Sequence, residues 1–162
     1  MSIKPNFSIQ DIIKKNREVY NHIFNTILDT LERTLMNVVE KARSGAYATD
    51  PDHEYMDRSG HLRQSVGYVI YHSGEMLRSS FSSGTGGELV GLEYAQTKAL
   101  EAQVDGFVCV LVAGKHYARY VENKGFDVIT GAFLHFDETF RSELQNTNKH
   151  LKGYYEIIKT NQ

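Results

Sequence analysis

A thiol and an imidazole seven residues apart, Cys109 and His116, form the first pair in this sequence that could act as nucleophile and base. Such a thiol needs a polar, accessible setting, whereas Cys109 stands inside the apolar run Phe107-Val108-Cys109-Val110-Leu111-Val112-Ala113, where it reads as packing. Asp50, Asp52 and Glu54 place oxygens at alternate positions as a calcium loop does, but Tyr55 stands where that loop requires glycine. A solvated acidic turn is the expectation. Ser83-Gly84-Thr85-Gly86-Gly87 has the glycines of a phosphate-cradling loop without its Lys-Ser/Thr ending, and reads as a loose hairpin exit. The seven histidines, at 22, 53, 61, 72, 116, 135 and 150, include no His-x-x-x-His pair that would ligate a metal from one helix face. Lys149, His150, Lys152 and Lys159 lie among Tyr154 and Tyr155, a mixture that could stack on and neutralise a single nucleic-acid strand. A solvated helix end explains it more simply. The residues therefore predict no catalytic set, no cofactor and no metal.

Composition narrows the classes further. The chain has 162 residues, 41% hydrophobic and 23% charged, which is enough apolar material for one core and predicts a single domain over 1–162. Eighteen Lys plus Arg against twenty Asp plus Glu give a net charge of -2, which argues against a broad nucleic-acid footprint. One cysteine makes no intrachain disulfide. Met1-Ser2-Ile3-Lys4-Pro5-Asn6 carries no apolar signal core, and no run approaches the roughly 20 apolar residues of a membrane span. The expectation is a cytosolic protein with no membrane contact.

The elements follow from periodicity. Ser8 suits an N-cap with Asp11 in the first turn, and Tyr20, Phe24, Ile27, Leu31, Leu35, Val38 and Ala42 form one helical stripe ending at Ser44-Gly45. Ile23, Leu28, Met36 and Val39 lie beside the stripe and add surplus apolar surface, making them the candidate subunit interface. Val66 to His72 and Met76 to Phe81 read as a hairpin around the turn residues Ser73-Gly74-Glu75. Leu89, Leu92, Ala95, Ala99 and Ala102 repeat as a helix, and the run Phe107–Ala113 reads as a strand buried on both faces at the centre of the sheet. A short helix over His116–Asn123, a short edge strand over Phe126–Thr130 and a helix from Ala132 carrying Phe133, Phe136, Phe140, Leu144 and Leu151 complete the chain. The last helix is expected to fray near Lys152-Gly153. The fold class is α+β: a small, mainly antiparallel sheet packed against a long N-terminal, a middle and a long C-terminal helix.

Two segments stand apart. Ser59-Gly60-His61-Leu62-Arg63-Gln64-Ser65 leads into the first strand, and Gly114-Lys115-His116-Tyr117-Ala118-Arg119-Tyr120-Val121-Glu122 leaves the last one, with Gly125 shortly after. Together, in this order, they resemble the signatures Thr-Gly-x-Leu-Arg-x-Ser and Tyr-Ala-x-x-Val-Glu-x-Gly of the gene-product-ten-like tail-component family of lambda-like phages. Ser59 replaces the Thr, and Asn123-Lys124 displaces Gly125 by one position. The likeness covers residues 55–135. The family often continues with a proline-flanked Pro-Phe-Leu segment, where this chain has Gly131-Ala132-Phe133-Leu134.

The resemblance implies a non-enzymatic virion protein of a phage or prophage, acting in tail completion or head–tail joining as a ring-forming subunit. Its partners would be copies of itself and other neck or tail proteins, and its places the host cytoplasm during assembly and then the virion. The matching positions are Gly60, Leu62, Arg63, Ser65, Gly114, Tyr117, Ala118, Val121, Glu122 and Gly125. Arg63 and Glu122 are expected to hold the fold, as an ion pair or cap, rather than to touch a partner. The rival reading is a small nucleic-acid-binding module, which would bind with a salt-dependent affinity. A hydrolase built on Cys109 or the acidic loop would need a polar cleft around one of them.

Overall fold

In the computed structural model, residues 8–47, 57–84, 86–102 and 104–160 are described, from residue 148 onward as backbone only. The acidic segment 50–54 and the tyrosine-lysine cluster of the C-terminus lie outside what is described, except that the helix carrying the latter continues to Thr160, past the expected fraying point at Gly153.

The fold is α+β, with elements α1 (Ile9–Ser44), α2 (His61–Ser65), β1 (Val66–His72), β2 (Glu75–Phe81), α3 (Gly87–Glu101), β3 (Phe107–Ala113), α4 (Ala118–Asn123) and α5 (Thr130–Thr160). α1 begins with a capping box. The Ser8 hydroxyl accepts from the Asp11 amide at 3.1 Å, and the Asp11 carboxylate accepts from the Ser8 amide at 3.1 Å. It stops at Gly45, whose φ of 74° is a left-handed cap that glycine adopts at no steric cost.

Three antiparallel strands lie in the order β2-β1-β3, so β1 is the centre and β3 an edge. This corrects the expectation for Phe107–Ala113. The apolar run in β3 records two covered faces, not two neighbouring strands. Phe107, Cys109 and Leu111 pack toward α1 and α5, while Val108, Val110 and Val112 pack toward α3. β1 alternates in the same way, with Val66, Tyr68 and Ile70 on the α1/α5 side and Val69 and Tyr71 on the α3 side. The β1–β2 turn, Ser73-Gly74, has positive φ at both residues, as a two-residue hairpin matched to strand twist requires.

The helical layers differ from expectation in which residues face inward. Leu28 and Val39, expected at a subunit interface, are 3% and 1% exposed and belong to the core, because α1 meets the sheet on one flank and α5 on the other and so buries a broader arc than one stripe. Ile23 is half-buried and Met36 exposed. Tyr20, expected inside, is exposed, since burial in α1 starts at Leu28. In α5, Ala132, Phe136 and Phe140 face the core and Phe133 points out. In α3 the inner face is Gly87, Gly91, Ala95 and Ala99, four residues apart each time, and Leu89 faces solvent. α1 and α5 are joined by Thr30 and Thr147, whose hydroxyls lie 3.0 Å apart, and by Arg33, which reaches Thr147 at 3.3 Å and Glu143 at 3.6 Å.

Residues 126–130 form no strand. Val128 plugs the core with no exposed surface, and the amides that follow are taken up by a side chain of α4, described next.

Candidate functional site

The two segments that resemble phage signatures meet at one end of the sheet, where β1 begins and β3 ends. Gly60 enters α2 with φ of 73°, and Asp57 fixes the first turn by accepting the Arg63 amide at 2.8 Å. Leu62 inserts into the core, and Ser65 is fully buried. Its hydroxyl donates to the Leu62 carbonyl at 2.8 Å and accepts the Lys115 amide at 3.3 Å, while its carbonyl accepts the Gly114 amide at 3.1 Å. One serine thus ties the first segment to the second.

Gly114 is required sterically. A Cβ there would stand 2.4 Å from the Cα of Gly91, so two glycines let α3 touch the end of β3 backbone to backbone. Beyond it, Tyr117 and Val121 pack against the core and Ala118 lies within it. Glu122 then turns its carboxylate onto the start of α5. Its Oε1 accepts the amides of Val128, Ile129 and Thr130 at 3.3, 3.0 and 2.8 Å, satisfying donors at a helix N-terminus whose dipole favours negative charge. Gly125, with φ of 90°, turns the chain back for this contact.

Sequence reasoning missed three participants. Arg43, in the last turn of α1, donates from Nε and one terminal nitrogen to the Val66 carbonyl at 3.0 and 2.7 Å, the fork geometry that arginine offers. Asp127 accepts the Gly131 amide with both oxygens, at 3.2 and 3.0 Å. Burial pushes its carboxyl above the usual range and the Glu122 charge adds to that, against the Gly131 bond and His135. Tyr47 stacks on His135 with ring centres 5.1 Å apart. The available signals were an arginine at a helix end and an aspartate four residues before a glycine, both common patterns. Asp127 bonds locally, whereas the carbonyl that Arg43 reaches lies 23 residues on.

Arg43, Ser65, Glu122 and Asp127 spend their side-chain hydrogen bonds on backbone groups. Cys109 is half-buried against the core cluster, where burial pushes its thiol up to about 11, away from the thiolate form; His116 is exposed, edge-on to Tyr117. Among the described residues, no group of three or more His, Cys, Asp or Glu could hold a metal ion, and no helix is long and apolar enough to cross a membrane. No protein-family model matches the chain, and neither a curated protein nor a solved structure matches it.

Proposed function

We propose that this chain is a structural, non-enzymatic subunit of a phage or prophage particle, acting in tail completion or head–tail joining and assembling as a ring with its own copies and neck or tail proteins. One observation carries the reading. The two segments on which the resemblance rests, 50 residues apart, are bonded to each other through Ser65, so the positions that carry it form one unit in space. A corner in which buried and half-buried polar groups serve backbone amides and carbonyls suits a protein whose task is to hold a shape under load. The ring follows from symmetry, because tail tubes and connectors are cyclic and a head-to-tail contact closes only as a ring. No cofactor enters this reading. Its places are the host cytoplasm during assembly and the virion afterwards.

The test is deletion of the gene from an inducible prophage. Electron microscopy of the lysate should show DNA-filled heads and unjoined or incomplete tails, and purified protein added to that lysate should restore plaque formation. Undiminished plaque yield after deletion would overturn the reading.

A further inference from the structure

The sheet has two edges, and only one is defended. In β2 the register against β1 slips at Ile70/Tyr71, Glu75 and Arg78 put charge on the strand, and the Arg78 guanidinium donates to the Leu77 carbonyl at 2.9 Å. Bulges and charges of this kind keep a further strand from adding to an edge. β3 has neither. It pairs with β1 without a break from Phe107 to Ala113 and carries no charge and no proline. Six of its seven residues are half-buried although both faces are covered, whereas six of seven in β1 are buried, so the accessible strip of β3 is its edge.

The backbone groups on that edge follow from the alternation of an antiparallel ladder. The Gly114 amide donates to the Ser65 carbonyl and the Ser73 amide to the Gly106 carbonyl, each at 3.1 Å, which makes the even-numbered positions from 106 to 114 the ones bonded to β1. Phe107, Cys109, Leu111 and Ala113 therefore aim N–H and C=O outward, and among the described residues nothing bonds to those groups. An extended strand is what completes them.

The flanking sequence selects that strand. Counted outward from Val110 in both directions, Cys109 meets Leu111, Val108 meets Val112, Phe107 meets Ala113, Gly106 meets Gly114 and Asp105 meets Lys115. Laid antiparallel on a second β3 with Val110 on the two-fold axis, all four outward positions find a hydrogen-bonding partner, the largest side chain of the strand faces the smallest, and opposite charges close both ends. Asp105 is exposed and Lys115 half-buried, and among the described residues neither has an ion-pair partner. A register shifted by two residues leaves one outward position of each strand unpaired and parts the charges. The axis stands perpendicular to the sheet, so each helical layer continues into the same layer of the other copy.

We propose that two copies of this chain join edge to edge through β3, antiparallel about Val110, into one continuous sheet. The contact is two-fold and differs from the head-to-tail contact of a ring, so it stands apart from the tail reading.

The experiment is sedimentation velocity on the full-length chain across a concentration series, comparing the parent with D105K, K115E and D105K/K115E, each checked for its fold by circular dichroism. The parent should dimerise. Either single reversal sets like charges together at both ends and should weaken dimerisation roughly tenfold, and the double variant should recover it. In C109A/V110C the introduced thiols face each other across a non-hydrogen-bonded pair, with Cα atoms about 4.5 Å apart, and should oxidise to a covalent dimer on a non-reducing gel. A parent that stays monomeric at every concentration overturns the pairing. Assemblies that neither reversal weakens and that C109A/V110C does not cross-link also overturn it, and leave the ring reading standing.

Discussion

The two faces of the sheet are covered by different means. On the α1/α5 side the space is filled by large apolar side chains, Leu28, Leu35, Tyr68 and Ile70 among them, and the incoming helix α5 is clamped by carboxylates at its start. On the α3 side the helix comes close because side chains are missing, and its N-terminal residue Gly86 makes no capping side-chain bond. The first face should therefore suffer when atoms are removed and the second when they are added. Stability from volume and stability from proximity are separable in one small domain.

The largest effect should come from adding atoms where backbones touch. Gly114→Val drives a branched side chain into the Gly91 backbone and should destabilise by about 3 kcal/mol or more, the upper range for overpacking, leaving little folded protein in a thermal melt. A near-parental melt would break the comparison at once. Leu35→Ala, 1% exposed on the other face, should cost about 3 kcal/mol through the cavity it leaves, read from urea midpoints. Next comes Glu122→Ala, which strands three amides at the start of α5 and should cost about 2 kcal/mol, with Glu122→Gln losing less because an acceptor remains.

The smallest effect has a pH signature. The raised carboxyl of Asp127 binds its proton more tightly in the folded than in the unfolded chain, so ionising it erodes stability as pH rises through the carboxylate range. Asp127→Asn keeps an acceptor for Gly131 and removes the charge. Its melting temperature should equal or exceed the parent's at pH 7, and the difference should shrink below about pH 4, where the parent aspartate is itself neutral. A parent that gains on the variant as pH rises would reverse the assignment.

Much of this was legible in the sequence because it is local. Ser8, Asp11 and Gly45 mark the ends of α1 through contacts within a few residues, and the Ser73-Gly74 hairpin declares itself by turn chemistry. The exchange of β1 and β3 at the centre was not legible, because a continuous apolar run reports covered faces and says nothing about how many strands flank it. The burial of Leu28 and Val39 was hidden for a related reason, since a period of 3.6 locates a stripe but not its width, and α5 arrives from more than a hundred residues away to widen it. At the corner, the positions were marked by the resemblance alone. What they bond to was not. Glu122 reaches amides six to eight residues on, and Ser65 reaches fifty. The strand expected over Phe126–Thr130 failed because its amides answer to that glutamate and not to a neighbouring strand.

The pairing of Thr30 with Thr147 also dictates an order in time. During synthesis the β1–β2 hairpin closes within a few residues of its turn, and β3 can join once α3 has emerged, whereas α5 leaves the ribosome last and must find a helix made 117 residues earlier. Until it does, Tyr68 and Ile70 are sheltered by α1 alone. A nascent chain at that stage is a sheet with one side half open, and the rate at which the final helix docks determines how long it is exposed to aggregation.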